Sequence, residues 1–370
     1  MTPYGFSFDS SACQAACKDK NQLPVGVLWR RVYEVTGGGW TCAGETWTSD
    51  VFAYHLSISC NHCERPICVE VCPTTAMHRR DNGIVAIDRE KCIGCQYCAW
   101  ACPYDAPQYN RASGVMTKCD LCADHLAEGR PPACVAACPM RVLELREGEG
   151  MAANVRPLPD ESLTRPALVI TPHPAAGRSG ALGNAEEVRR AVGSERSLVA
   201  FTLLTQMAVG ATWWSSVVGP FTRAGMAVVT GLTLVGLLAS LLHLGTPRNA
   251  WRALGNLRTS WLSREVLSAT LFVASLFVVQ VTGRALWLAQ LTGVALVVCM
   301  VQVYRLRTVA TWNRVRTTVS FVGMTVVLGL LLSGALTHGG LVWWLALAVS
   351  LDSAARARAR FYQSRAPALT

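Results

Sequence analysis

The sequence predicts two parts of unlike chemistry: a small α+β domain organised by cysteines, then an all-α bundle of membrane-spanning helices. Three observations predict it. Fifteen of the sixteen cysteines lie before residue 140. Most of them fall in tight Cys-x-x-Cys steps, each set ending in Cys-Pro. After about residue 197 the chain turns largely apolar, in runs long enough to cross a bilayer. At 370 residues there is length for both parts.

The chain opens with "FSFDSSACQAACKDKNQ", where Cys13 and Cys17 stand four apart, like half of a cysteine group. "MTPYGFSFDS" has no basic segment and no apolar run, so no secretory signal is expected there. Dense Cys-x-x-Cys spacing without such a signal suggests thiolates kept reduced until they bind metal. A disulfide scaffold is the alternative, but disulfide cysteines have no reason to fall in such steps.

Three complete groups follow. "CNHCERPICVEVCP" supplies Cys60, Cys63, Cys68 and Cys72. "CIGCQYCAWACP" supplies Cys92, Cys95, Cys98 and Cys102 in the spacing of bacterial ferredoxins. "CDLCADHLAEGRPPACVAACP" supplies Cys119, Cys122, Cys134 and Cys138. Three closely spaced thiolates wrap three corners of a cubane, and the fourth cysteine faces away to ligate the neighbouring cluster. The following proline fixes the chain direction. Zinc also takes Cys-x-x-Cys pairs, but a zinc site uses two pairs, and the second group packs four cysteines into eleven residues. The expected fold is therefore an α+β tandem bacterial-type [4Fe–4S] ferredoxin domain followed by an all-α multi-span transmembrane helix bundle.

The cross-ligation rule predicts pairings. Cys60, Cys63 and Cys68 take Cys102; Cys92, Cys95 and Cys98 take Cys72; Cys119, Cys122 and Cys134 take Cys17. That makes three complete [4Fe–4S] clusters and leaves Cys13 and Cys138 as two ligands of a fourth. Cys42, in "GGGWTCAGETW", is expected in a loop, and Cys299, in an apolar run, as a small buried hydrophobe.

Residues 140 to about 196 read as a Pro- and Gly-rich connector, with a short strand-like run in "TRPALVITP". Apolar runs near 198–219, 224–244, 266–282, 285–303 and 318–337 are long enough to span, and a shorter one covers 341–354. The loop after the second run carries Arg248, Arg252, Arg258 and Arg264. The loop after the fourth carries Arg305, Arg307, Arg314 and Arg316, and the tail carries Arg356, Arg358, Arg360 and Arg365. The opposite loops hold only Arg223 and Arg284. The positive-inside rule makes the arginine side cytoplasmic, and the ferredoxin domain, preceding the first run, shares it. These loops explain the net charge of +10 without a nucleic-acid partner. His243 and Glu265 flank the loop after the second run. They read either as solvated interfacial residues or as proton acceptors for a quinol being oxidised.

"YGFSFDSS", "FAYHLSISCNHCERPICVEVCPTTAMHRR", "CIGCQYCAWACPYDAPQYN" and "MTKCDLCADHLAEGRPPACVAACP" resemble the iron–sulfur subunit of the dimethyl sulfoxide reductase family, over about residues 3 to 195. "HLGTPRNAWRALGNLRTSWLSRE" resembles the membrane anchor of the same family, over roughly 195 to 350. The resemblance implies two subunits fused, with four clusters wired between a membrane menaquinol site and a molybdopterin catalytic subunit. It places His243 and Glu265 at that menaquinol site and turns the connector into an arm wrapping the partner. It also implies that the cluster on Cys119 lies nearest the membrane, and that the depleted first group belongs to the cluster nearest molybdenum. The anchor looks shorter than the family's eight spans.

The expected organisation is a poly-[4Fe–4S] ferredoxin domain at 1–150, a connector or arm at 151–196, an anchor of five or six helices at 197–354, and a basic tail at 355–370. The expected function is electron transfer from menaquinol to a separate molybdopterin subunit, with the protein in the bacterial inner membrane. The same relay run backwards, from a formate-, polysulfide- or tetrathionate-type partner, remains open. So do a degenerate non-catalytic anchor and a zinc-binding regulator.

Overall fold

A computed structural model describes residues 12–146, 151–178, 180–182 and 195–364. The "YGFSFDSS" stretch, connector residues 183–194 and Arg365 lie outside the described residues. The chain folds as a cysteine-rich α+β domain seated on a helical bundle.

Helix α1 (Ala12–Lys20) is alanine-rich and ends in Lys18 and Lys20, both favourable to a helix. Its i,i+4 spacing sets Cys13 and Cys17 on one buried face. Strand β1 (Arg31–Gly37) alternates buried and outward residues. The hairpin β2 (Trp40–Ala43) and β3 (Thr46–Ser49) stands exposed, with Cys42 on β2. Strand β4 (Phe52–Ile58) pairs antiparallel with β1, from Arg31 opposite Ile58 to Gly37 opposite Phe52.

The cysteine groups then alternate with short helices and hairpins. Helix α2 (Ile67–Glu70) precedes the hairpin β5 (Met77–Arg79) and β6 (Val85–Ile87). Helix α3 (Tyr97–Ala101) precedes β7 (Gln108–Asn110) and β8 (Val115–Thr117). Helices α4 (Ala123–Ala127) and α5 (Ala133–Ala136) carry the last group, and α1 packs on α5.

The connector straps the chain's own domain. Glu64 and Arg65 donate their amides to the carbonyls of Arg165 and Thr164, at 2.8 and 2.9 Å. Leu158 and Leu168 pack against Tyr33 and Ile58. The run read as strand-like makes one isolated parallel bridge, Ala152 with Val169. Strand β9 (Ala181–Leu182) closes the free edge of β1.

Among the described residues six long helices follow: α6 (Arg196–Val218), α7 (Arg223–Leu241), α8 (Trp261–Thr282), α9 (Leu286–Tyr304), α10 (Val315–His338) and α11 (Leu341–Gln363). Four of them, α7 to α10, are long and apolar enough to cross a membrane. Helix α6 is the most enclosed, and its buried Thr202, Thr205 and Thr212 return their hydroxyls to carbonyls one turn back. It meets α10 at Gly210 and Gly329, where a Cβ on either residue would strike the other helix's backbone.

Helix α11 corrects one expectation. The 341–354 run and the first part of the basic tail form one continuous helix, since "DSAARARAR" consists mostly of good helix formers. Arg358 is not a solvated tail residue: it is 1% exposed, sits 3.5 Å over the Phe321 ring, and donates to Gln206 Oε1 at 3.1 Å. Tyr362 meets Tyr304 hydroxyl to hydroxyl at 2.6 Å.

The α7–α8 loop, the α9–α10 loop and the end of α11 all lie on the ferredoxin side, the side the arginines mark. Polar anchor side chains reach main-chain carbonyls of the cysteine loops: Asn256 to Cys72 at 2.9 Å, Ser260 to Val71 at 2.8 Å, Thr246 to Cys92 at 3.1 Å and Thr308 to Ala101 at 2.7 Å. Tyr97 donates back to the Val303 carbonyl at 2.8 Å, and Trp100 packs edge-on against Trp312. Glu70 pairs with Arg307 at 3.0 Å.

Gly94, Gly114 and Gly245 bring the two backbones together, and a Cβ at Gly245 would run into the Gly114 carbonyl. Because that obstacle is backbone, it cannot swing aside. Gly245→Ala is expected to destabilise the docked arrangement by about 1–3 kcal/mol. The check is thermal melting of the detergent-purified chain, where an unchanged Tm would show that this contact is loose.

Candidate cluster-binding and quinol sites

Each cysteine loop turns through a non-glycine residue with positive φ: His62 at 43°, Gln96 at 60° and Leu121 at 62°. Such bends are sterically disfavoured, and they occur in the loops that carry the cysteines. Amides point at the same sulfurs. Gly94 and Met116 each donate to Cys92 Sγ at 3.4 Å, Met77 to Cys72 Sγ at 3.4 Å and Leu121 to Cys119 Sγ at 3.4 Å. Amide hydrogen bonds of this kind favour a bound cluster and tune its potential.

Cys60, Cys63, Cys68 and Cys102 line one pocket, together with Tyr104, Lys118 and Thr164. Cys17, Cys119, Cys122 and Cys134 line a second, beside Trp29 and Arg30. Cys72 is an electrostatic neighbour of Cys92, Cys95 and Cys98, and packs with Cys92 and Cys98 in one buried group. The donor sets are all-thiol, partnered across groups, and spread around a volume. Among the described residues, none of the Cys, His, Asp and Glu groups converges on a point that would hold a single ion. The arrangement fits a cubane better than zinc, whose ligands sit about 2.3 Å from one centre. Burial pushes the Cys95, Cys102 and Cys119 thiols up to about 12 and Cys63 to about 11. Bound iron supplies the positive charge such thiolates need.

The leftover cysteines line neither pocket, although Cys13 packs in one buried group with Cys17, Cys119 and Cys134. Cys13 is buried with its Sγ 3.6 Å from Ser57 Oγ. Burial raises the Cys138 thiol, but the amides of Leu143, Val142, Met140 and Arg141 outweigh it and hold the thiol below its ordinary value. Cys42 is exposed, and Cys299 is buried on α9 with its Sγ 3.6 Å from Ser268 Oγ.

The order of the cysteine sets relative to the membrane is a correction. The anchor grips the carbonyls of Cys72 and Cys92, so the Cys72, Cys92, Cys95, Cys98 set lies against it. Among the described residues, no anchor residue lines the Cys119 pocket, which is not the one nearest the membrane. The Asn256, Thr246 and Ser260 side chains seek main-chain carbonyls, which carry no residue-type signature, so the spacing of cysteines could not reveal this contact.

Glu265 lies one turn into α8, 3% exposed, and its Oε1 is buried without a hydrogen-bond partner. His243 follows the end of α7; its Nδ1 is buried without a hydrogen bond of normal geometry, and the Ser240 backbone is the polar group that acts on the ring. Tyr97 was not singled out by sequence, yet both Cys95 and Glu265 lie close enough to act on it. Burial pushes its phenol well above the usual value, and the charges of Glu265 and Cys95 add to the effect. Its position inside the "CIGCQYC" loop was the available signal.

These features define an iron–sulfur electron-transfer domain on a multi-pass membrane anchor. Comparison with known proteins agrees. A 4Fe-4S dicluster domain family matches residues 51–148, and the DMSO reductase anchor subunit family matches residues 192–351. The B component of the anaerobic dimethyl sulfoxide reductase of Escherichia coli K12 is 49% identical over 203 residues, covering 50% of this chain and 99% of the relative. Its Haemophilus influenzae counterpart is 47% identical over 205 residues, covering 51% and 100%. The B component of the sulfite dehydrogenase of Allochromatium vinosum is 51% identical over 150 residues, covering 35% of this chain and 59% of that one. The chain belongs to the dimethyl sulfoxide reductase iron–sulfur subunit family, and in it that subunit is fused to the family's membrane anchor.

Proposed function

We propose that the chain oxidises menaquinol on the ferredoxin side of the membrane and delivers the electrons to a separate molybdopterin catalytic subunit. The observation that carries this is Glu265 Oε1, buried without a partner, with the buried His243 Nδ1 likewise on the side where the cysteine domain docks. Buried polar atoms without partners are rare and need an explanation, for which a bound polar ligand is one candidate. Ionisable groups in membrane bundles are costly and tend to be kept for function. His243 and Glu265 would take the quinol's two protons. When bound, the [4Fe–4S] clusters supply one-electron transfer, with the Cys72 set facing the quinol, the Cys60 set next and the Cys119 set outermost. The arginine-rich loops favour a cytoplasmic ferredoxin domain in a bacterial inner membrane.

A second reading runs the relay toward quinone. It is favoured by the likeness to a protein named for sulfite dehydrogenase. A menaquinol analogue added to the anaerobic chain in lipid discs tests the first reading. Three cubanes predict about twelve irons per chain. The expected result is cluster bleaching by quinol in protein loaded to that level. Bleaching by dithionite but not by quinol would overturn it.

A further inference from the structure

Lys118 precedes the first cysteine of the last group, and its side chain is buried, 2% exposed. Its ammonium donates to the carbonyl of Val85 and, at 2.8 Å, to that of Cys119. Both acceptors are neutral, and no salt bridge reaches it from any described residue. A buried cation without an anion is expensive. The side chain lines the pocket of Cys60, Cys63, Cys68 and Cys102. Its charge acts on Cys63 and Cys68 of that set, and on Cys119 of the neighbouring one. An ammonium has three donors, and the two carbonyls leave one uncommitted.

We infer that Lys118 is a fixed counter-charge shared by two clusters, holding both at higher potential than their thiolates alone would set. This rests on the cluster assignment above. A cubane with four thiolates is an anion that becomes more negative when it gains an electron, so a buried cation favours the reduced form. Arg30 also acts on Cys119, whereas Lys118 is the cation acting on Cys63 and Cys68. Lys118 lines the pocket of the Cys60 set and is not among the residues lining that of the Cys119 set, so its effect is larger on the Cys60 set. The Cys72 set, which faces the anchor, serves as an internal reference.

The test is EPR-monitored redox titration of the full chain carrying Lys118→Gln, which keeps a donor and removes the charge, or Lys118→Arg, which keeps the charge. Lys118→Gln is expected to make reduction of the Cys60-set cluster at least tenfold less favourable, about 59 mV for one electron. The Cys119-set cluster should shift less and the Cys72-set cluster least. Lys118→Arg should restore the potentials. Full cluster signals with unmoved potentials in Lys118→Gln overturn the inference while leaving the cluster assignment standing. Absence of cubane signals in the unsubstituted chain sinks the assignment itself. If Lys118→Gln loses iron, full loading of Lys118→Arg supports the charge, and equal loss from both variants reduces Lys118 to a structural bolt.

Discussion

Removing Cys95 and Cys98 together, each to alanine, is expected to abolish quinol-driven reduction of every remaining cluster. Dithionite should still reduce the other two. The set these residues share with Cys72 and Cys92 is the one the anchor holds, through Asn256 and Thr246. Tyr97, between the two substituted positions, bonds to Val303 of α9. The contrasting variant, Cys119→Ala with Cys122→Ala, strips the set that no described anchor residue lines. There, quinol should still reduce the two clusters nearer the membrane. The readout is the EPR spectrum after anaerobic mixing with a menaquinol analogue, with dithionite reduction showing that the rest of the domain is loaded. The reverse pattern, with the Cys119 variant blocked and the Cys95 variant competent, would restore the order that family resemblance alone implied.

The second large effect is expected at the quinol itself. His243→Ala and Glu265→Gln should each slow quinol-driven bleaching by about 100-fold or more, the range for losing a positioned proton acceptor. Cluster content and dithionite reduction should not change, since neither residue is among the cysteine sets. Stopped-flow absorbance in lipid discs checks this. Unchanged rates in both variants would remove these residues from the site and leave their buried polar atoms to a structural explanation.

The iron–sulfur character of the first domain was legible because tight thiolate spacing is what a cubane demands of its loops. The cross-group sets of Cys60 with Cys102 and of Cys119 with Cys17 meet in space as the spacing suggested. The arginine loops likewise foretold which helix connections face the cysteine domain. Other features left no such imprint. Arg358 reads as one of a run of tail arginines, and only its neighbours Phe321 and Gln206, far away in the chain, explain its burial. Lys118 looks like any lysine beside a cysteine until its carbonyl partners are seen. The strap from Ala152 to Leu168 lacks periodicity because it follows the surface of another fold instead of forming its own ladder.

The docking of cysteine loops on anchor loops has one more consequence. The contact is built from side chain to carbonyl bonds, one ion pair, the close approach at Gly245 and the packing of Ile67, Val71 and Trp100 on the anchor. Between separate chains such a seam would have to form by bimolecular encounter and would loosen on dilution. On one polypeptide it closes at an effective concentration on the order of millimolar, fixed by the tether. A seam of modest intrinsic affinity then stays shut at any expression level, and every anchor carries one relay. Tethering also frees the interface residues from having to specify a partner, so they can be selected for the distance they impose between quinol and first acceptor.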